Sequence, residues 1–387
     1  MQMQRKFNGD IYEIGFKVMW LLTIVLYIAI PLHKESVQRL CYYGFYLISF
    51  SLFFVTVVYE TKGAITKLRF KELMLILGIL IIIIFSLFST QYQITFNYQI
   101  AGILNFFTMI CSVYYITKLK NNVSIEKFIF IINLMISVIF MLLSISSYAY
   151  SGILNSLYLG YQNPNATASY ILLNVAILLI YFPKLQKRYV RISVFVVICY
   201  LIYLIYLTDS RTCMFVGLLL FAYTFLPLFL VLPKWTITVA LLVPIIFLFG
   251  YSAMYANGML MGFEIMGKPI YSGREVFFIY QLENLRKHFW IGDIGKYAFN
   301  NLHNSALACL ASMGALGYGL YLMLIRNELC RLYEKITTKQ QVIAMAVILS
   351  IYLQSVSEAA LVVGGAHYSI TIATYYYLLN GNGGSSE

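Results

Sequence analysis

Three short polar stretches stand out in a chain of 387 residues that is otherwise strongly apolar. Thr208-Asp209-Ser210-Arg211-Thr212 joins two apolar runs by a turn too short to lift Arg211 far into solvent. An ionisable group at membrane depth costs roughly 2.5–3.5 kcal/mol to insert, so it is rarely idle. Arg211 is therefore a candidate anion ligand. An internal pair with Asp209 is the alternative, and both hold if Asp209 positions the guanidinium. In Ser272-Gly273-Arg274-Glu275, Ser272 is the expected N-cap of a helix and Glu275, three residues on, completes a capping box. Arg274 in that first turn, beside unpaired helix N–H groups, makes a phosphate site. An exposed Arg274 paired with Glu275 is its other reading. Asn301-Leu302-His303-Asn304 supplies an imidazole, which titrates near pH 6.5 and can accept a proton at neutral pH. Neighbouring arginines would lower its pKa further. Capping of a helix with Asn301 or Asn304 is the structural alternative for His303. Glu358 and His367 offer a second acid or base, or a partner for either arginine, or a plain buried ion pair. Asn304, Asn165 and Asp209 are candidates for positioning substrate, and Asn163-Pro164-Asn165 also carries a helix-start signal.

The elements that must hold these residues are membrane spans. The chain is 61% hydrophobic and 11% charged. A soluble domain carries about 25% charged residues, so an ordinary globular enzyme is excluded. Apolar runs near twenty residues recur along its length, as a hydrocarbon layer of about 30 Å demands. Twelve spans are expected, near 14–31, 40–58, 72–90, 98–117, 126–148, 165–182, 191–208, 212–232, 235–256, 303–325, 341–360 and 363–379, the last two open to forming one broken hairpin. On this alternation 19 of the 27 Lys and Arg fall on one side, which places both termini in the cytoplasm of the cell. The three polar stretches share the other, outward side. There the loop 257–302 is the only long one, and loops beyond about 12–15 residues are usually functional. Within it, 272–289 is expected to be an amphipathic helix lying on the outer membrane surface, with Phe278, Leu282, Leu285 and Phe289 on its apolar stripe. Ala311, Ala315 and Gly319 predict a small-residue face for close packing in the tenth span. The fold class is thus all-α, one polytopic domain over 1–379 followed by a disordered tail at 380–387.

Several function classes fall away. The net charge of +12 sits in short clusters between spans, as orientation signals do, so no nucleic-acid partner is expected. The six cysteines lack metal-ligand spacing, no cofactor or metal is expected, and no Walker loop or outward Asp-x-Asp pair is present. The first apolar run is long and no small-residue cleavage site follows it, so no cleavable signal peptide is expected. A polysaccharide or lipid-linked sugar transporter is the rival from another class. It would spread its polar groups through the bundle rather than gather them on one face.

The order of these elements resembles the O-antigen ligase and O-antigen polymerase superfamily of bacterial surface-polysaccharide enzymes. The residues that carry the resemblance are Thr208-Asp209-Ser210-Arg211, Ser272-Gly273-Arg274, Trp290-Ile291-Gly292-Asp293-Ile294-Gly295, His303-Asn304 and Met313-Gly314-Ala315-Leu316-Gly317, within roughly 160–325. The resemblance implies a GT-C-like membrane glycosyltransferase fold in the bacterial cytoplasmic membrane. It also implies donors linked to undecaprenyl diphosphate and metal-independent transfer, with the lipid bilayer, a chain-length regulator and a flippase as partners. Arg211 and Arg274 would clamp the diphosphate, and His303 or Glu358 would receive the acceptor proton. The family's ligases often have a second histidine near the first, whereas positions 300–302 here are Asn-Asn-Leu, and the loop has no extra basic cluster for a phosphorylated lipid A-core. That favours a polymerase, with a ligase as the alternative.

Overall fold

The computed structural model describes residues 2–62, 67–90, 99–117, 123–145, 156–161, 163–225, 232–259, 261–265, 267–269, 273–299, 302–358 and 366–380. Each expected span overlaps a helix among the described residues. In chain order these are α1 (Gln2–Ala29), α2 (Glu35–Lys62), α3 (Lys67–Ser89), α4 (Ala101–Ile116), α5 (Val123–Ile145), α6 (Pro164–Tyr181), α7 (Arg188–Leu207), α8 (Arg211–Phe225) and α9 (Trp235–Ala256). A hairpin of β1 (Glu264–Ile265) and β2 (Lys268–Pro269) follows, then α10 (Arg274–Leu285), α11 (Ile294–Tyr297), α12 (Ser305–Tyr333), α13 (Lys339–Gln354) and α14 (Ala366–Leu379). Eight of these helices are long and apolar enough to cross a membrane, so the chain is a multi-pass helical membrane protein.

Length decides where the rest sit. α4, α13 and α14 have 16, 16 and 14 residues. At 1.5 Å per residue they reach about 21–24 Å, short of a hydrocarbon core of about 30 Å. They are wrapped by longer neighbours, and almost every described side chain of α13 and α14 is buried. α6 is apolar all round and buried from Thr167 to Tyr181, as such a helix must be. The outer helices α2, α3, α5 and α9 instead expose large apolar side chains such as Phe54, Phe88, Leu142 and Ile246, which only lipid can cover. Ion pairs Lys184–Glu126 and Lys234–Glu334 lie at one end of the bundle, with the amide of Asn380 donating to the Thr117 carbonyl. The starts of α8, α10 and α12 and the end of α13 meet at the other.

A break in α12 governs that second end. Gly314 has φ 64° and ψ −175°, so the helical ladder stops there. Four of the groups around the break have partners outside the helix. The Ala315 N–H donates to the Phe289 carbonyl at 2.8 Å and the Leu316 N–H to the Trp290 carbonyl at 3.2 Å. The Ala311 carbonyl accepts from the Asp293 N–H at 2.8 Å, and the Ser312 carbonyl accepts from Ser86 Oγ at 3.2 Å. Buried backbone groups require such pairing. The approach is so close that a Cβ on Gly314 would lie 2.3 Å from the Trp290 backbone, and one on Gly292 2.5 Å from that of Met313. The following chain is sewn to α3 and α4. Asp293 caps α11 and accepts from Thr90 Oγ1 at 2.8 Å, the Gln99 amide donates to the Gly295 carbonyl at 2.7 Å, and Phe299 stacks on Phe106 with centroids 4.2 Å apart.

The small-residue face expected in α12 is interrupted by the break at Gly314: Ala311 is buried, Ala315 half-buried, and Gly319 has no neighbour within 4 Å. The helix expected over 272–289 spans 274–285 and ends in a 3₁₀ turn at Arg286–His288, starting on Gly273 at φ 78°. Of its apolar stripe, Phe278 and Leu285 are buried, with α9 and α12 packed against the helix, while Leu282 is half-buried and Phe289 exposed. Ser272, Asn301 and 381–387 lie outside the described residues, as does the side chain of His367.

A methyl group at Gly314 has only backbone to displace and sits at an unfavourable φ, so Gly314→Ala should destabilise by at least the roughly 1–3 kcal/mol of core overpacking. Thermal unfolding of the detergent-purified protein should show a clear loss, with Gly319→Ala unchanged as the control.

Candidate functional site

The N-terminus of α12 is the fixed point of the site. Asn304 is its cap: Oδ1 accepts from the Leu307 N–H at 3.0 Å, while Nδ2 donates to the carbonyls of Pro244 at 3.0 Å and Val356 at 3.2 Å. One buried amide thus ties α9, α12 and the chain after α13. Ser305 reinforces the joint, its N–H donating to the Ser355 carbonyl at 2.9 Å and its hydroxyl meeting that of Ser355 at 2.9 Å. Asn304 therefore serves as the structural cap of the helix that follows His303. His303 instead has φ 58°, a left-handed conformation that a bulky residue adopts only when its surroundings impose it. Its ring meets Phe277 of α10 edge-on at 6.3 Å.

Arg274 reaches the same place from the first turn of α10. Nη1 donates to the Ser357 carbonyl at 2.9 Å, and Nη2 lies 3.5 Å from Glu358 Oε1. The ion-pair partner of Arg274 is thus Glu358, not the helical neighbour Glu275. The Arg274 side chain keeps 25% of its surface accessible and Glu358 keeps 11%. Ser357 Oγ also donates to Thr212 Oγ1 at 2.9 Å, which brings the start of α8 alongside. Arg211, the first residue of α8, is half-buried and donates through Nη1 to the Ile265 carbonyl of the hairpin at 3.1 Å. Asp209, in the turn before it, is half-buried at φ 60°.

The charges act on one another. Burial, and then the positive field of Arg274, push the His303 imidazole down to about 4. It is therefore neutral at physiological pH. Because this value lies below the ordinary 6.5 or so, the unfolded chain takes up the proton first on acidification. The folded state consequently loses stability as pH falls from about 6.5 to about 4.

Beneath the charges lies a polar floor that sequence reasoning missed. The Gln354 amide, fully buried, donates to Ser169 Oγ at 3.3 Å and to Cys213 Sγ. Its Oε1 has no hydrogen-bond partner among the described residues. Asn165, half-buried, lies one turn before Ser169 on the same face of α6, while Asn163 rather than Asn165 caps that helix. On α10, Glu275 Oε2, Gln281 Oε1 and Asn284 Nδ2 are likewise buried and unpartnered among the described residues. Such groups cost about 1–3 kcal/mol each unless something hydrogen-bonds them. Single polar residues in apolar runs give no pattern to find them by; the one available signal is the four-residue spacing of Asn165 and Ser169.

The structure thus brings Arg274, His303 and Glu358 together, with the start of α8, which carries Arg211, tied alongside by the Thr212–Ser357 bond. A guanidinium, a neutral imidazole and a carboxylate in one cluster can bind a phosphate oxygen and move one proton. No family model, curated protein or solved structure matches the chain.

Two measurements test this geometry. Asn304→Ala leaves three backbone groups without their partner and should lower stability by about 1–2 kcal/mol, read as a fall in unfolding temperature. In protein labelled at its histidines, the NMR signal absent from His303→Asn should titrate near pH 4. Arg274→Gln should raise that midpoint. A wild-type midpoint near 6.5 would contradict the burial and field described.

Proposed function

We propose that the protein is a metal-independent membrane glycosyltransferase. In this reading it polymerises oligosaccharide repeat units carried on undecaprenyl diphosphate, as O-antigen polymerases do. The observation that carries the reading is the convergence of Arg274, His303 and Glu358, beside Arg211, at the end of the bundle that bears fewer basic residues. By the positive-inside bias that end faces away from the cytoplasm, where lipid-linked repeat units are presented.

The chemistry follows from the charges. A hydroxyl oxygen of the acceptor glycan attacks the anomeric carbon of the donor. The bond from that carbon to the diphosphate oxygen breaks, and the electron pair leaves with the lipid diphosphate. Arg274 and Arg211 stabilise the charge that develops there, usually the largest catalytic contribution. An arriving diphosphate competes with Glu358 for Arg274 and offsets the cationic field on His303, raising its basicity. His303 then orients the acceptor hydroxyl and takes its proton, with Glu358 as the second acceptor within the cluster. Gln281 Oε1, Asn284 Nδ2 and Gln354 Oε1, without a hydrogen-bond partner among the described residues, suit a hydroxyl-rich ligand.

The test is incubation of the purified protein with synthetic undecaprenyl-diphosphate repeat units, with products resolved by size. A ladder of longer lipid-linked glycans is expected. Arg274→Ala should cut kcat/KM by about 10²–10³-fold in a protein that still folds, and Arg274→Lys should not restore a two-pronged grip. Since kcat/KM reports the free enzyme, its acid limb should fall near pH 4 rather than 6.5. An intact ladder in Arg274→Ala or His303→Ala would overturn the assignment. Transfer only to an added lipid A-core would make the protein a ligase. Silence with every acceptor in folded protein would favour the transporter.

A further inference from the structure

The opposite end of the bundle holds a concavity unrelated to the charges described above. A cavity of about 490 Å³ lies where the end of α6 meets the start of α7, lined by Phe182, Gln186, Arg188, Arg191, Ile192 and Phe195. Pro183 ends α6 in a single 3₁₀ turn, and the chain returns through 185–187 to α7, so both helix ends frame the opening.

The walls differ in character. One is cationic. The Arg191 guanidinium lies over the Phe182 ring at 5.2 Å. Neighbouring cations at this end are neutralised: Lys184 lies 2.7 Å from Glu126 and Lys234 2.6 Å from Glu334. Arg188 and Arg191 have no carboxylate partner among the described residues, although both border the cavity. The other wall is apolar. Ile192 and Phe195 are exposed, and they continue into exposed Val196 on the outward, lipid-facing side of α7.

A groove with clustered cations beside a membrane-facing apolar strip matches an amphiphile with an anionic head. Free phosphate would use only the cationic wall; a phospholipid uses both. The volume also falls in the usual range of about 300–1,000 Å³ for small-ligand sites. We infer that this groove binds the phosphate headgroup of an anionic phospholipid in the leaflet on the basic side. Arg188 and Arg191 hold the phosphate, and Ile192 and Phe195 receive the upper acyl chain.

The full-length protein is purified in detergent and equilibrated with phosphatidylglycerol, with phosphatidylcholine or with inorganic phosphate. Bound lipid is counted by native mass spectrometry, and the unfolding temperature is recorded alongside. Phosphatidylglycerol should be retained over phosphatidylcholine and should raise the unfolding temperature, while inorganic phosphate should do neither. Each of Arg188→Gln and Arg191→Gln should weaken phosphatidylglycerol retention about fivefold, as expected for one surface cation facing an anionic lipid. Ile192→Ser should weaken it as well. Equal retention of the two lipids, unchanged retention in both arginine variants, or equal stabilisation by inorganic phosphate would overturn the proposal. Should a variant not fold, cross-linking of wild-type protein with a photoreactive phosphatidylglycerol decides the matter. Label within 182–195 supports the site, and label confined elsewhere overturns it.

Discussion

The arrangement of the polar end depends on one contact, the meeting of Gly292 with Gly314 where α12 interrupts itself. A helix that stops its ladder inside a membrane protein leaves donors and acceptors that hydrocarbon cannot satisfy. Here the carbonyls of Phe289 and Trp290 take the released donors, and the Asp293 N–H takes a released acceptor. The chain that leaves α10 is therefore fastened to the middle of α12, then runs through α11 and returns to the start of that same helix at Asn304. Arg274 at the head of α10 and His303 ahead of α12 are thus positioned against one common frame. The second anchor, Asn304 with Ser305 against Ser355 and Val356, brings Glu358 into that frame from the other side.

Electrostatics within the frame are balanced rather than relaxed. A carboxylate as buried as Glu358 loses most of its hydration, and the mutual attraction with Arg274 offsets that loss only while the two remain paired. Burial, and then the same guanidinium, disfavour a proton on His303. The left-handed backbone at His303 adds a constraint of another kind, because a residue held in a rare conformation has few alternatives to the orientation it adopts.

Much of this was legible in the sequence, for reasons that also mark its limits. Twelve apolar runs become helices because in lipid a chain has almost no other way to satisfy its backbone. Arg211, Arg274 and His303 stood out because charge is scarce outside the basic loops. The pairing of Arg274 with Glu358, 84 positions apart, was open as one of several options, since only tertiary structure chooses among distant partners. The stripe of α10 was legible as apolar but not as facing protein. Lipid tails and a helical core are equally apolar, so a stripe cannot say which it meets. The cap was displaced from Ser272 to Gly273 because a left-handed entry suits glycine. The two-residue strands of the hairpin are too short to leave a pattern, and the floor of Ser169, Cys213 and Gln354 is assembled from three helices.

The joint between Gly292 and Gly314 is made of main-chain atoms alone. Such a joint asks for glycine at two places and leaves its flanking side chains free to answer to lipid or to ligand. Sequence drift around it is therefore tolerated far better than in a joint of interlocking side chains. A lineage built on this plan could exchange most of its outer residues while keeping the scaffold that aligns an arginine with a histidine.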